Sequence, residues 1–221
     1  MTAEKILSLA RAQIGIKEYP SGSNRVKYNT AYYGREVSGT EYPWCCAFIW
    51  WIFDQARAQE LFFGGEKTAY CPALLNYHKK AGQFVTKDYK PGDIVFFNFS
   101  GGTAAKHVGI CEKWSGSTMT TIEGNTGAGN DTNGGAVMRR TRAKKYIVGA
   151  YRPTYEEEDI VDQKQFDAML ENWLERQAAK QPSSWSRMDD AKAAGVTDGS
   201  RPGSFATREE VATMLMNLKG E

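Results

Sequence analysis

A nearly unbroken apolar run at residues 43–53 opens with a proline and two adjacent thiols. Counted from Cys45, apolar side chains recur at the spacing of one helical face, namely at Phe48, Ile49, Ile52, Phe53 and Ala56. This spacing predicts a buried helix, and Pro43 suits its first turn. We therefore expect Cys45 in that turn, where backbone N–H groups and the helix dipole stabilise a thiolate. The alternative is that Cys45 only fills the core, because free cysteine is often buried.

The composition limits the classes of protein and partner. The 221 residues are 41% hydrophobic and 24% charged, which is typical of a globular protein with one full core and a small second unit. A net charge of +2 is too small to favour nucleic acid as a partner. No apolar run reaches the roughly 20 residues of a membrane helix, and the N-terminus lacks the apolar segment of a signal peptide. We expect synthesis in a cytoplasm without a signal peptide, and no membrane insertion.

Cysteine and histidine usage argues against a metal centre. The four cysteines lack paired C-x-x-C spacing, and we expect all of them to be reduced: Cys45, Cys46, Cys71 and Cys111. Only two histidines are present, so a multi-histidine metal site is not expected. His78 stands beside two lysines and is predicted to be exposed and structural, which leaves His107 as the candidate for chemistry.

The order of the patterns predicts an α+β fold. Helical spacing is found at residues 4–15 and at residues 72–81. Between them, residues 16–41 are rich in Gly, Ser, Asn and Tyr and are predicted to be a long loop. Five β-rich runs then follow, at residues 93–99, 106–114, 117–123, 136–141 and 146–152. Because helices precede strands, we expect the Cys45 helix to pack on one face of a five- to six-stranded antiparallel sheet.

A base and an acid stand on neighbouring predicted strands. His107 begins the second β-rich run, and Glu123 ends the third. A carboxylate at that position reaches a side chain on the adjacent strand. With Cys45, these residues provide a nucleophile, a base and a group that orients the base, which together are the requirements of thiol catalysis.

Four motifs in this order carry a resemblance to a known family: Pro43-Trp44-Cys45-x-Ala47-Phe48, Pro91-Gly92-Asp93-Ile94-Val95-Phe96, Lys106-His107-Val108-Gly109-Ile110 and Ile122-Glu123-Gly124-Asn125. The chain resembles the CHAP family of cysteine- and histidine-dependent amidohydrolases and peptidases of bacterial cell walls. The resemblance covers about the first 152 residues. It implies a papain-like fold for a catalytic domain at residues 1–153.

The resemblance also implies roles for single residues. Cys45 is the nucleophile and Cys46 has no catalytic role, because the family pattern places the nucleophile directly after the tryptophan. His107 is the base, and either Glu123 or Asn125 orients it. The candidate substrate-binding residues are Asn24, Tyr28 and Trp44. Some family members carry an aspartate-rich calcium loop, but residues 16–44 contain no Asp, so we expect no metal and no cofactor.

The character of the chain changes after residue 153. Residues 154–164 are predicted to be an acidic linker, and residues 165–221 a small all-helical module in which Phe166, Met169, Leu170, Trp173 and Leu174 keep helical spacing. Residues 185–215 resemble one surface-layer-homology repeat, a unit that anchors proteins to wall polymers. Because a single repeat has a thin core, this module is expected either to lean on the catalytic domain or to associate between chains as a homo-oligomer. The resemblance implies binding to secondary wall polymers, and a merely structural tail is the alternative.

Together these features predict a peptidoglycan hydrolase, specifically a bacteriolytic phage endolysin that acts on the wall after release and causes host lysis. The bond is left open between that of an N-acetylmuramoyl-L-alanine amidase and that of a peptide endopeptidase. The alternatives are a bacterial wall-remodelling enzyme and a wall-binding or structural protein with an inactive site. A transglutaminase-like acyl transferase would use the same three groups.

Overall fold

The computed structural model describes residues 1–129, 133–156, 163–178 and 188–193, together with the single positions 211, 213, 215 and 216. The chain divides into two compact units, Met1–Glu158 and Asp159–Glu221. The first contains all the candidate catalytic residues. The predicted linker and the roles assigned to the two parts of the chain stay predictions.

The helices of the first unit precede nearly all of its strands, as the sequence predicts. They are α1 (Ala3–Arg11), α2 (Lys27–Tyr33), α3 (Cys45–Gln55), α4 (Glu60–Phe63) and α5 (Cys71–Lys80). Helix α3 begins at Cys45 itself, and Pro43 lies just before the N-cap residue Trp44.

Helix α2 lies inside the region predicted to be a loop. Its tyrosines are poor helix formers, but Tyr28 packs edge-on against Phe48 and Trp51 of α3, and this packing outweighs local propensity.

The strands form one antiparallel sheet. They are β1 (Phe84–Val85), β2 (Ile94–Phe97), β3 (His107–Trp114), β4 (Thr118–Thr126), β5 (Ala136–Ala143) and β6 (Ile147–Tyr151), in the spatial order β1-β6-β2-β3-β4-β5. The predicted α+β class, with helices packed on an antiparallel sheet, is confirmed. Among the described strands, the one that the sequence analysis missed is β1, which is two residues long and too short to give a periodic signal.

The hydrophobic core lies between α3 and the sheet. Helix α3 contacts α1 and α2 as well as β3 and β4, and Val108 and Ile110 of β3 belong to the same buried cluster as Phe48 and Ile52 of α3. A second buried cluster contains Cys111 with Val95, Phe97 and Met119. Strand alternation thus separates Cys111 from the residues of β3 that pack against α3.

His78 is not exposed, so that prediction is wrong. Its side chain lies in α5 and is 1% exposed. The ring stacks on Tyr151 at 3.5 Å between centroids, and its two nitrogens lie 2.6 Å from Phe62 O and 2.6 Å from Gln83 Oε1. The neighbouring lysines misled the prediction, because a helix can bury one side chain while its neighbours in sequence face solvent.

The second unit is described in part. Helix α6 (Gln163–Ala178) includes the five apolar residues predicted to share helical spacing, and α7 (Met188–Ala193) follows. Most of residues 185–215, which resemble a surface-layer-homology repeat, lie outside the described residues. Among the described helices, none is both long and apolar enough to cross a membrane.

Candidate active site

Cys45 is the first residue of α3 and is 5% exposed. Trp44 occupies the N-cap position, and its side chain makes no capping hydrogen bond. The first N–H groups of a helix have no partner within the helix. The sequence thus places a thiol where backbone donors and the positive end of the dipole favour an anion.

His107 and Glu123 meet across neighbouring strands, as the sequence predicts. His107 begins β3, Glu123 lies in β4, and both side chains are fully buried. His107 Nε2 lies 3.0 Å from Glu123 Oε2. Within the described residues, the other ring nitrogen, Nδ1, makes no hydrogen bond of good geometry and is the atom left to interact with Cys45.

Gly109 makes room for this contact. A Cβ atom at Gly109 would lie 2.6 Å from Glu123 Cγ, a separation at which one of the two groups has to move. The Glu123 side chain therefore lies over the Gly109 backbone on its way to His107. This close approach gives a physical reason for the glycine two residues after the histidine.

Arg142 is a site residue that the sequence analysis missed. It lies in β5, is 4% exposed, and donates from Nε to Glu123 Oε1 at 2.8 Å and from Nη2 to Glu123 Oε2 at 2.5 Å. The Thr121 hydroxyl also donates to Glu123 Oε1, at 2.5 Å. The guanidinium lies 4.4 Å from the centre of the Phe99 ring. Glu123 is thus held from several sides. Of these partners, only Thr121 has a signal in the sequence, because it lies two residues before Glu123 and therefore on the same face of β4.

The ionisation of these groups favours an ion pair. Burial works against charge on Glu123, but Arg142 and His107 lower its pKa to about 2. Burial would lower the pKa of His107, yet Cys45 and Glu123 raise it to about 9. Hydrogen bonds from the Cys46 and Cys71 thiols, assisted by His107, lower the pKa of Cys45 well below its usual value despite burial. These shifts in the two pKa values favour a Cys45 thiolate beside a His107 imidazolium.

Three thiols lie together at this point. Cys71 Sγ is 3.7 Å from Cys45 Sγ and 3.1 Å from Cys46 Sγ. Cys71 is the first residue of α5, so two helix N-termini bring these side chains together. Among the described residues, they are the one group of three His, Cys, Asp or Glu side chains close enough to share an ion. All four cysteines of the chain have free thiols, and the absence of a metal cofactor stays a prediction.

Asn125 is close in sequence to Glu123 but makes no bond to His107. It is fully buried with φ at +58°. In the described part of the chain, neither polar atom of its side chain has a hydrogen-bond partner. Of the two candidates for orienting His107, Glu123 is therefore the residue that the geometry brings to the ring.

The three candidate substrate-binding residues are buried. Asn24 is 1% exposed, while Tyr28 and Trp44 are 0% exposed. The Asn24 amide donates to Gly39 O at 3.0 Å, and the rings of Tyr28 and Trp44 stack at 5.4 Å between centroids. These contacts are internal, so the substrate-binding role of all three residues stays a prediction.

Comparison with known proteins gives a family match over part of the chain. Residues 37–125 match the model of the CHAP domain, and this range contains Cys45, His107, Glu123 and Asn125. No curated protein matches the sequence. Two crystal structures of Ly7917, one of them with the hydrolysing product of MDP, align at 18% identity over 69% of this chain, with TM-scores of 0.42 and 0.43. This chain spans 62% and 63% of the length of those two chains.

Proposed function

We propose that this protein is a peptidoglycan hydrolase that cleaves an amide bond of the bacterial cell wall with Cys45 as nucleophile. The observation that carries the proposal is the buried arrangement of Cys45, His107 and Glu123 within the segment that matches the CHAP domain. A thiolate at a helix N-terminus beside an imidazolium is the arrangement of a cysteine amidohydrolase.

The first half of the reaction forms an acyl-enzyme. The Cys45 thiolate attacks the amide carbon, and N–H groups in the first turn of α3 stabilise the oxyanion. The imidazolium of His107 donates its Nδ1 proton to the departing amine as the carbon–nitrogen bond breaks. Glu123 keeps the ring oriented through Nε2 and balances its charge, as a carboxylate does in other catalytic triads.

The second half releases the product. His107, now neutral, takes a proton from water, and the resulting hydroxide attacks the thioester carbon. The carbon–sulfur bond breaks, which gives a carboxylic acid and restores the Cys45 thiolate. The pKa shifts favour a resting ion pair, and in that state no proton has to leave Cys45 before the first attack.

Cys45→Ala and Cys46→Ala test which thiol carries the reaction. We expect Cys45→Ala to abolish release of soluble fragments from purified Gram-positive walls while binding to the walls is retained. Cys46→Ala is the matched control, because the adjacent thiol is also buried but does not start the helix. Retained lysis by Cys45→Ala would contradict the proposal, whereas binding without lysis by the unmodified protein would favour an inactive wall-binding protein.

Mass spectrometry of the digest identifies the bond and the reaction class. New N-termini on released peptides indicate which amide is cut, whether that of an N-acetylmuramoyl-L-alanine amidase or of an endopeptidase. Hydrolysed products support the proposal, and newly cross-linked products would indicate an acyl transferase. Action as a phage endolysin after release from the host cytoplasm is part of the proposal, and a bacterial wall-remodelling enzyme is its alternative.

A further inference from the structure

Cys71 has no role in the hydrolysis proposed above, yet its thiol lies in contact with the nucleophile. Its Sγ atom is 3.7 Å from Cys45 Sγ, and Cys71 is 6% exposed. The two residues are 26 positions apart in sequence and meet because α3 and α5 both begin here. A thiol in contact with a thiolate is chemically significant, because an oxidant can join two sulfurs that lie this close as a disulfide.

We propose that Cys71 is a resolving thiol: when a hydroperoxide oxidises Cys45, Cys71 traps the oxidised sulfur as a Cys45–Cys71 disulfide that a dithiol can reduce again. The inference rests on the proposed function only in taking Cys45 as the reactive thiolate. It adds an oxidative modification site to the nucleophile and a means of reversing that modification.

The chemistry proceeds in two balanced steps. The Cys45 thiolate attacks one oxygen of hydrogen peroxide, the O–O bond breaks, hydroxide leaves, and Cys45 becomes a sulfenic acid. The Cys71 sulfur then attacks the sulfenic sulfur, so that an S–S bond forms and the S–O bond breaks. The hydroxyl group leaves with the Cys71 proton as water. Without a resolving thiol, a second peroxide would convert the sulfenic acid irreversibly to a sulfinic acid.

Geometry identifies Cys45, rather than Cys46, as the thiol that peroxide attacks. Cys46 lies nearer to Cys71, at 3.1 Å, but it is fully buried and has no imidazolium beside it. Burial and the neighbouring thiols raise the pKa of Cys46, while Cys45 faces His107 and is the thiolate of the group. Because the thiolate is the reactive form, oxidation begins at Cys45.

The same distances disfavour a metal ion among the three thiols. Tetrahedral zinc–sulfur bonds of about 2.3 Å keep ligand sulfurs roughly 3.8 Å apart. The Cys46–Cys71 separation of 3.1 Å is shorter than this, so zinc would have to push the two sulfurs apart. Disulfide formation instead shortens a contact that is already present.

The test exposes the full-length, reduced protein to hydrogen peroxide, then quenches with catalase and follows the thiols by mass spectrometry. In the Cys46→Ser variant, which removes the ambiguity of adjacent cysteines, we expect loss of two hydrogen atoms and a Cys45–Cys71 disulfide. Dithiothreitol should restore the original rate at which iodoacetamide alkylates Cys45. In Cys71→Ser we expect a sulfinic acid at Cys45 and no recovery of alkylation.

Two further variants complete the experiment. Cys111→Ser, whose thiol lies in the second buried cluster, should behave as the unmodified protein does. Cys45→Ser should lose rapid disulfide formation, and a Cys46–Cys71 disulfide formed at the original rate would overturn the proposal. Reversible protection of Cys45 in Cys71→Ser would also overturn it. These readouts follow thiols, so they are independent of whether the protein cleaves cell walls.

Discussion

At the scale of single residues, the buried charges form a chain from the nucleophile to β5. The Cys45 thiolate faces the His107 imidazolium, His107 contacts Glu123, and Glu123 accepts hydrogen bonds from Arg142. Alternating charges compensate for the cost of burial, which is large for any charge left alone. Each group therefore depends on the next for its ionisation.

The raised pKa of His107 predicts an alkaline limit to activity. With a pKa of about 9 in the folded protein, the imidazolium is present at neutral pH and is lost as the pH rises through about 9. The lowered pKa of Cys45 favours the thiolate at lower pH than in an ordinary cysteine. Wall hydrolysis measured against pH should therefore persist below pH 7 and decline near pH 9.

The same shift affects stability. A raised pKa in the folded state stabilises the protein fully below the unfolded histidine value of about 6.5, and this contribution is lost as the pH rises through the folded value. Urea unfolding across this pH range should show the decline. If wall hydrolysis instead declined as the pH rose through about 6.5, that result would contradict the assigned ion pair.

Arg142→Gln tests the far end of the charge chain. Removing the guanidinium leaves Glu123 buried without its strongest partner, so its pKa should rise from about 2. A carboxyl group whose pKa is depressed in the folded state stabilises the protein above the unfolded pKa of about 4.3, and this contribution is lost on acidification. In the variant, activity should therefore be lost at a higher pH as the solution is acidified. Breaking a buried pair costs about 3–5 kcal/mol in the free energy of unfolding.

Arg139→Gln is the matched control for Arg142→Gln. Arg139 lies on the same strand and pairs with Glu112, but its side chain is 51% exposed. An exposed pair contributes about 0–1 kcal/mol. Equal effects of the two substitutions on the free energy of unfolding and on the pH profile would show that Arg142 has no special role.

At the scale of elements, helix α3 lies unusually close to β4. A Cβ atom at Gly124 would lie 2.6 Å from Phe48 Cβ, so the glycine allows helix α3 to approach the strand that carries Glu123. A close, rigid contact of this kind holds the helix that carries Cys45 in register with this strand. Gly109 serves the neighbouring contact between β3 and the Glu123 side chain.

Gly124→Ala is expected to push α3 away from β4. Overpacking of this kind costs about 1–3 kcal/mol in the free energy of unfolding, and displacement of Cys45 from His107 should slow wall hydrolysis further. Urea unfolding and the hydrolysis rate measure the two effects. Gly129→Ala is the control, because its added Cβ meets no atom of the described residues within 4 Å and should change stability by less than about 0.5 kcal/mol. Equal stability of the two variants would contradict the close contact.

At the scale of the whole molecule, the two units differ in how they bury apolar surface. Among the described residues, both buried hydrophobic clusters are built from residues of the first unit. In the second unit, α6 exposes the apolar residues Phe166, Met169, Leu170, Trp173 and Leu174. The first unit thus has a core of its own.

We therefore expect a fragment of residues 1–158 to fold alone and to cleave purified walls. Circular dichroism during heating should show a cooperative transition, because the core residues are all retained. The fragment should sediment with walls less than the full-length protein if the C-terminal module binds wall polymers. Analytical ultracentrifugation of both proteins tests self-association of that module, and an aggregated, inactive fragment would contradict the independent core.

Local patterns were sufficient to predict the helix that carries Cys45 and the strands that carry His107 and Glu123. Cys45 belongs to the periodic apolar segment that forms its helix, and His107 and Glu123 lie on two neighbouring strands joined by a short turn. Periodicity and turn chemistry act over such distances. Helix α2 and the burial of His78 were missed, since packing from outside the segment decided both.

The amino-acid sequence by itself determined the α+β order of elements and the identity of the three groups suited to thiol chemistry. Only the tertiary structure decided what surrounds them. Arg142 meets Glu123 through the pairing of β4 with β5, and Cys71 meets Cys45 where two helices begin. Neither contact has a periodic or motif signal, because each depends on strand register and helix packing, which are properties of the folded chain as a whole.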